Sequence, residues 1–285
     1  MNSAISTKNL RKDFKEVTAL SGVDLEVPEG QIFGLIGPNG SGKTTLIKIL
    51  TGLLRSTSGQ VSVLGMDPIN ERNRLHEQIG YMPQTDSLYD DLSARDNVRF
   101  FAKACGVANA DERAAEMLRF VELEHRANHK IHTFSGGMRK RVSLACTLVH
   151  KPRLLFLDEP TAAVDPELKL KFWALFRELS GQGCTLFIST HLMDEALYCD
   201  QVAILRKGEL VFVSTPDKFL QEGRSKVKVV DGSGKSEEKV IPAEPGDLAQ
   251  LLQGFGLKKE ITSIEIKNES FEEIVLKIAK KRAKK

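Results

Sequence analysis

The sequence has few cysteines, no long apolar run and little net charge, and each shortage excludes a class of protein. Its four cysteines, Cys105, Cys146, Cys184 and Cys199, are scattered and never form a C-x-x-C pair. That usage favours free thiols in a reduced, cytosolic compartment over a disulfide scaffold. No apolar run approaches the roughly 18 residues that a membrane-spanning helix needs, so we expect no such helix.

The two ends of the sequence bear on secretion and on nucleic-acid binding. Residues 1–6 lack the basic and apolar regions of a signal peptide, so we expect no secretion signal. Residues 277–285 hold six lysines or arginines, which leaves a net charge of −3 on the rest, against +3 for the whole chain. A general nucleic-acid surface is therefore not expected. We interpret the basic tail as a solvated helix end, with contact to anionic lipid or RNA as the alternative.

A glycine-rich stretch dominates what is present. It follows an apolar run at 31–36 and precedes a run with helical character at 46–50, and it reads Gly37-Pro38-Asn39-Gly40-Ser41-Gly42-Lys43-Thr44, followed by Thr45. The stretch fits G-x-x-x-x-G-K-[ST] in the strand–loop–helix context of a phosphate-binding loop. Its glycines let successive N–H groups turn toward an anion. We expect Lys43 to reach the β- and γ-phosphates of a nucleoside triphosphate and Thr44 to offer its hydroxyl to Mg²⁺.

Polar residues follow two later apolar runs. Asp158 and Glu159 come directly after the run 153–157, and His191 closely follows the run 185–189. We interpret both runs as buried parallel strands, whose ends meet at the edge where open α/β folds place ligands. Asp158 is then expected to hold Mg²⁺ through its water shell, and Glu159 to orient or deprotonate an attacking water. A helix N-cap cluster is the alternative for the two acids.

Three further features have more than one interpretation. His191 can donate a hydrogen bond to a γ-phosphate, although a capping histidine explains it better when it is taken alone. Phe14 lies in a polar connection, where it either fills the core or stacks on a nucleotide base. The sequence Ser135-Gly136-Gly137 precedes a predicted helix and is either an ordinary N-cap or a second anion site. In the second case two chains would share two nucleotides.

The order of elements predicts an α/β protein with a parallel sheet, because strands and helices alternate. Residues 1–36 are predicted to be strands, and Gln84 to about His150 a mostly helical insert. Near Gly223 the pattern changes to a small α/β module, with a hairpin around 231–235 and helices at 247–253 and 271–279.

Taken in this order, the motifs resemble those of the nucleotide-binding subunit of an ATP-binding cassette (ABC) transporter, over about residues 5–222. GPNGSGKT matches its Walker A loop, Gln84 its Q-loop and Phe134-Ser135-Gly136-Gly137-Met138 its signature motif. LLFLDEP matches Walker B, Ala162-Ala163-Val164-Asp165 the D-loop and His191 the switch histidine. Three departures are phenylalanine for the usual tyrosine at Phe14, methionine for glutamine at Met138, and Ala162-Ala163 in the D-loop.

The resemblance implies a P-loop NTPase (RecA-like) core with an antiparallel β subdomain and a helical insert, plus a small C-terminal α/β module. The ATP-binding domain would be 1–223, with its helical subdomain at about 84–150, and the accessory or regulatory module 224–285. Glu159 would be the general base, held with His191. Gln84 would sense the γ-phosphate and Mg²⁺, and Phe14 would stack on adenine. ATP and Mg²⁺ are the expected cofactors.

The implied partners are a second ATP-binding subunit and a multi-helix transmembrane permease on a separate chain. Family members dimerise head to tail, with ATP between the Walker A loop of one chain and the signature motif of the other. A homodimer is favoured over a heterodimer, and no specific nucleic acid is expected. The Phe-Ser-Gly-Gly-Met form and the run 88–101 resemble the branch that serves exporters of drugs, lipids and polysaccharides. The subunit would be cytoplasmic and peripheral on the inner face of the cell membrane.

The motifs leave two alternative functions. Soluble ABC-type ATPases that act on ribosomes or nucleic acid usually carry two cassettes or a long coiled-coil insert, which 285 residues do not accommodate. A non-catalytic nucleotide-responsive regulator is the other alternative, and intact Lys43, Asp158, Glu159 and His191 argue against it.

Overall fold

The computed structural model describes residues 3–231, 235–242, 250–251, 253, 261–270, 273–274 and 277. The chain forms two compact units, Met1–Leu210 and Val211–Lys285. This division falls earlier in the chain than the predicted boundary between residues 223 and 224. That boundary separates the predicted ATP-binding domain from the predicted accessory module, and it stays a prediction.

Nine strands and six α-helices are assigned up to the end of β9, within the part of the chain that the structure describes. The strands are β1 (Ser3–Phe14), β2 (Val17–Pro28), β3 (Ile32–Ile36), β4 (Ser58–Val63), β5 (Ile79–Met82), β6 (Leu154–Asp158), β7 (Thr185–Thr190), β8 (Gln201–Arg206) and β9 (Glu209–Ser214). The helices are α1 (Lys43–Leu50), α2 (Arg72–His76), α3 (Ala94–Ala104), α4 (Ala110–Phe120), α5 (Gly136–Leu148) and α6 (Pro166–Gly181).

Strands in the order β5-β6-β7-β3-β8 form the centre of the first unit. The pairs from β5 through β8 are parallel, and every residue of β3, β6 and β7 is buried. Asp158 pairs with Ser189, and Ile36 pairs with Thr190. The three strands therefore end side by side, which places the residues that follow them at one edge.

A second sheet of the same unit is antiparallel, with order β2-β1-β4. The sequence predicted a polar connection around Phe14, and that prediction was wrong: β1 continues through Phe14, which pairs with Val17. The end of this strand lies beyond the core, so its polar residues pair with one another, as in the 2.8 Å contact between Arg11 and Asp13. An alternation of polar side chains on an exposed strand looks like a loop in the sequence.

The predicted helical insert consists of α3, α4 and α5. Ser93 caps α3 by accepting a hydrogen bond from the Asp96 amide at 3.0 Å, and the carboxylate of Asp96 lies in the first turn, where the helix dipole favours it. Helix α5 buries its entire second half, from Val142 to Leu148, which explains why it has little amphipathic pattern. This burial fixes the start of α5 relative to the rest of the insert.

The second unit contains α7 (Pro216–Gln221), β10 (Arg224–Asp231), β11 (Ser236–Pro242) and β12 (Ile261–Asn268). The three strands form an antiparallel sheet of order β11-β10-β12, with Val227 and Val229 buried. The predicted hairpin is therefore present, although its turn residues 232–234 lie outside the described residues. Most of the predicted helices at 247–253 and 271–279, and the basic tail beyond 277, also lie outside them.

The aromatic centre of the parallel sheet gives a test of the fold. Phe187 is fully buried and lies 5.6 Å from the Phe33 ring and 5.7 Å from the Phe156 ring, between centroids. We expect Phe187→Ala to lower the free energy of unfolding by about 3–5 kcal/mol, because it removes buried area and leaves a cavity. Chemical denaturation measures this, with Leu170→Ala as the control, since Leu170 is 57% exposed. A similar loss in both variants would contradict this account of the core.

Candidate functional site

The phosphate loop lies against the ends of the two strands that flank β3 in the sheet. The Gly37 amide donates a hydrogen bond to the carbonyl of Thr190 at 3.1 Å, which ties the loop to β7. A Cβ atom at position 37 would lie 2.2 Å from the Leu205 carbonyl oxygen of β8, so only glycine fits there. Gly42 has φ 110° and precedes the first turn of α1, a conformation that side chains disfavour. The predicted loop and its glycine requirement are thus present in the structure.

Lys43 is 5% exposed and uses its ammonium group inside the loop. It donates to the carbonyl oxygens of Gly37 at 2.7 Å and Pro38 at 3.3 Å, and it lies 3.5 Å from Oε1 of Glu159. Burial lowers the pKa of Lys43 below its ordinary value, and the charge of Glu159 opposes part of that shift. The site therefore holds a buried positive charge inside the loop.

Thr44 and Asp158 meet beside this lysine. The Thr44 hydroxyl donates to Oδ2 of Asp158 at 2.8 Å, and the Ser189 hydroxyl donates to the other carboxylate oxygen. A hydroxyl and a carboxylate are the oxygen donors that Mg²⁺ takes while it keeps several waters. The described residues contain no cluster of three or more His, Cys, Asp or Glu side chains of the kind that holds a metal alone. The donor set fits a magnesium ion that shares its coordination with phosphate and water.

Glu159 is the point where the other predicted residues converge. Gln84 donates to Oε2 at 3.1 Å, and Nδ1 of His191 lies 3.2 Å from the same oxygen. Glu159 has φ 52°, a strained conformation for a side chain with Cβ, and its amide donates to the Ser189 carbonyl at 3.0 Å. The structure therefore brings Gln84, Lys43 and His191 onto one carboxylate. Strand order predicted only that Glu159 and His191 lie at the same edge of the sheet, and the contacts of Lys43 and Gln84 with Glu159 were not predicted.

Two residues that contact Asp158 or the main chain of Glu159 were missed in the sequence. Lys140, in the first turns of α5, donates to the main-chain carbonyl of Glu159 at 2.9 Å. Burial lowers the pKa of Lys140, and the charge of Glu159 opposes that shift. Ser189 was predicted only as a strand residue, and it contacts both acids through its hydroxyl and carbonyl. A lysine after a glycine-rich helix start was the one available signal for Lys140.

A cavity of about 530 Å³ opens over the phosphate loop. Gln84 and Glu159 belong to its lining. The phosphate loop and the start of α1 contribute Asn39, Gly40, Gly42, Lys43, Thr44 and Thr45. Two short segments contribute Val17, Thr18, Ala19, Lys207 and Gly208. Pro38 and Ser41 complete the loop, with the Ser41 amide donating to the Pro38 carbonyl at 3.1 Å. Lys207 and Gly208 form the turn between β8 and β9.

Phe14 lies at the end of β1 and is 44% exposed, so it does not fill the core. The Lys12 ammonium lies 4.9 Å from the centre of its ring. Phe14 is outside the lining of the cavity, but it pairs across a two-residue turn with Val17, which belongs to that lining. The exposed ring is compatible with stacking on a base at the cavity mouth, and that role stays a prediction.

Ser135, Gly136 and Gly137 form the start of α5. The Ser135 hydroxyl accepts a hydrogen bond from the Met138 amide at 3.3 Å, so the serine acts as an N-cap. Ser135 and Gly136 are exposed, and none of the three lines the cavity over the phosphate loop. Within one chain these residues and the loop therefore do not share a cavity.

Comparison with known proteins assigns the family. The ABC transporter family model matches residues 20–162. The multidrug ABC transporter ATP-binding protein YbhF of Escherichia coli K12, described as probable, is 40% identical over 75% of this chain and 38% of its own length. The linearmycin resistance ATP-binding protein LnrL of Bacillus subtilis is 36% identical over 74% of this chain and 69% of its own. This chain belongs to the ABC transporter ATP-binding family.

A solved structure supports the same assignment for the ABC fold. The dimeric cassette MJ0796 in a post-hydrolysis state, bound to ADP and phosphate, has a TM-score of 0.69 and 29% identity to this ABC protein. It covers 74% of this chain and 98% of its own. The predicted P-loop NTPase fold and the family resemblance are thus confirmed. This ABC chain spans well under half the length of YbhF.

The ABC cassette has no helix long and apolar enough to cross a membrane within the residues that the structure describes.

The buried lysine gives a test in pH. Between the lowered pKa of Lys43 and its ordinary value of 10.5, the unfolded chain binds a proton that the folded chain has released. The stability contributed by this group therefore rises with pH through that window. The guanidinium of Lys43→Arg keeps its charge over this pH range. We therefore expect the unfolding free energy of the wild type, relative to that of the variant, to increase as pH rises. Denaturation at a series of alkaline pH values measures the difference, with exposed Lys48→Arg as control.

Proposed function

We propose that this chain is the ATP-binding and ATP-hydrolysing subunit of an ABC exporter, which powers a separate membrane permease through ATP-driven dimerisation. The convergence of Lys43, Gln84 and His191 on the Glu159 carboxylate, beside the Thr44–Asp158 pair, carries the proposal. The names of the relatives, a multidrug transporter protein and a linearmycin resistance protein, support export as the direction.

The residues divide the chemistry among them. The loop amides and Lys43 bind the phosphates. Thr44, Asp158 and Gln84 would hold Mg²⁺, which would supply positive charge beside the transferring phosphoryl group. Glu159 orients or deprotonates the attacking water, since its carboxylate is held by contacts from three different segments. His191 positions Glu159 and donates to the γ-phosphate, while Phe14 stacks on adenine.

The second anion site belongs to the partner copy on this proposal. Ser135 and Gly136 are exposed at the N-terminus of α5, where free N–H groups and the helix dipole favour an anion. No residue of α5 belongs to the lining of the cavity over the loop. Two copies of this chain, arranged head to tail, would each complete the other's site. The dimeric state of MJ0796 supports the pairing of two cassettes.

The surface beside Gln84 suits a membrane partner. A groove of about 890 Å³ runs from Tyr81 and Pro83 to Phe101 and Leu53, and Leu53 is 47% exposed. Tyr89 and Phe100, which contact edge to face at 5.0 Å, are 49% and 45% exposed nearby in the chain. Exposed apolar surface of this extent indicates a binding surface. A permease segment bound here would contact the Q-loop directly and hold the subunit on the inner face of the cell membrane.

The C-terminal segment 224–285 is proposed to support dimerisation or regulation, separately from the ATP-binding domain 1–223. Its sheet carries few buried side chains, and its described residues contain no group of three or more His, Cys, Asp or Glu side chains that could hold a metal ion. Removal of 224–285 without effect on dimerisation, turnover or coupling would exclude this role.

Glu159→Gln tests the hydrolytic role. We expect turnover to fall by about 10²–10⁴-fold, because the amide cannot accept a proton from water, while Mg-ATP still binds and the dimer persists. Phosphate release and size-exclusion chromatography in Mg-ATP measure the two effects. Glu167→Gln is the matched control, since Glu167 is an exposed residue in the first turn of α6. Undiminished hydrolysis in Glu159→Gln would remove Glu159 as the base.

Ser135→Arg tests the shared site. A long cation in place of the exposed cap would block the approach of a second nucleotide-loaded copy. We expect monomer affinity for Mg-ATP to be retained, since Ser135 lies outside the cavity, while ATP-driven dimerisation and turnover are lost. Equilibrium binding and sedimentation measure these separately. If the variant hydrolyses ATP at the normal rate, the shared-site proposal is wrong.

A further inference from the structure

The turn between β8 and β9 has an unusual residue in its first position. Strand β8 ends at Arg206 and β9 begins at Glu209, so Lys207 and Gly208 form a two-residue loop. Their φ angles are 50° and 79°, which is the type I′ geometry that matches the twist of a hairpin. Asn, Asp or Gly is favoured at the first position, because other side chains are strained at positive φ. A lysine therefore occupies a site where its backbone conformation costs free energy.

The turn is fixed against the phosphate loop by its second residue. The Gly208 amide donates to the Ser41 carbonyl at 2.9 Å, and the Gly208 carbonyl accepts from the Ser21 amide at 2.8 Å. A Cβ atom at position 208 would lie 2.7 Å from the Ala19 carbonyl oxygen, so the approach is close enough to require glycine. These contacts hold residue 207 at a constant position relative to the loop.

The Lys207 side chain lies at the rim of the cavity over the loop. It is exposed, and it lines the cavity together with Asn39, Gly40, Lys43 and Thr44. No carboxylate pairs with Lys207 among the residues that the structure describes, whereas Lys43 faces Glu159 at 3.5 Å. A strained backbone that presents an unpaired cation to an anion site is a combination that points to function rather than to stability.

We propose that Lys207 is a second cationic ligand for the phosphates of the bound nucleoside triphosphate. The inference rests on the proposed ATP binding and adds a residue to that site. Lys43 acts from below, inside the loop, and its charge is already shared with Glu159 and two carbonyl groups. Mg²⁺ neutralises only part of the triphosphate charge, so a flexible cation at the rim stabilises the remainder. Lys207 retains its solvent contact, which makes its contribution smaller than that of Lys43 and sensitive to salt.

Lys207→Asn is the decisive variant, because asparagine tolerates the left-handed conformation and removes the charge. We expect the Kd for Mg-ATP to rise about fivefold, the size of one partly exposed charge-assisted contact, and the difference to shrink at high salt. The unfolding free energy should equal or exceed that of the wild type. Lys207→Arg, which keeps the charge, should restore the affinity. Isothermal titration with Mg-ATP and chemical denaturation measure the two quantities on the full chain.

Two controls separate this inference from the function on which it rests. Arg206→Asn removes a neighbouring exposed cation outside the cavity lining and should leave the Kd unchanged. Lys43→Ala should abolish measurable binding. If the wild type binds Mg-ATP, Lys43→Ala does not, and Lys207→Asn binds as the wild type does, the role of Lys207 is wrong while ATP binding stands. An equal loss in Arg206→Asn also overturns it. A wild type that fails to bind Mg-ATP overturns both proposals.

Discussion

The ammonium of Lys43 is buried, and a buried cation has to be compensated by the groups around it. Three acceptors do so here, the carbonyl oxygens of Gly37 and Pro38 and the carboxylate of Glu159. Loss of one partner from a buried pair typically destabilises a protein by about 3–5 kcal/mol, because the remaining charge is left unpaired. The position of Glu159 therefore depends on Lys43 as strongly as on any contact of its own strand.

Backbone hydrogen bonds between distant segments make this arrangement rigid. The amides of Gly37 and Glu159 both donate to β7, at Thr190 and Ser189, so the loop after β3 and the turn after β6 are held to one strand. The strained φ of Glu159, which costs about 1–3 kcal/mol for such residues, is retained because these bonds and the Lys140 contact over-determine it. The parallel sheet thus supplies the alignment, and the side chains only have to follow it.

Features set by local pattern were predictable from the sequence. The phosphate loop, the two buried strands that end at Asp158 and Thr190, and the helical insert each leave a periodic or motif signal, and the structure has all of them. Features set by tertiary contact were not. Nothing in a sequence states that Lys140 reaches the Glu159 carbonyl or that the 207–208 turn lies on the phosphate loop, because those neighbours are brought together only by the sheet order.

Phe14 belongs to a local element, the end of a strand, that the sequence pattern did not identify. Hydrophobic alternation identifies a strand only where one face is buried, and the end of β1 extends past the core. Its polar residues therefore read as a loop, although the chain there is paired on both sides of the turn. Short helices such as α2 are missed for a related reason, since five residues give too little periodicity to detect.

The contacts of Lys43 and Glu159 also connect binding with catalysis. A lysine has three N–H donors, and each faces an acceptor: Gly37, Pro38 or Glu159. An anion that binds Lys43 must displace at least one of these, and the charged Glu159 is the one that the anion repels. Gln84 and His191 contact the other oxygen of the same carboxylate, so they retain Glu159 when Lys43 releases it. On the proposed function, phosphate binding therefore breaks the contact between Glu159 and Lys43 and leaves Glu159, the base, held by Gln84 and His191. Occupancy of the loop is in this way linked to readiness for hydrolysis.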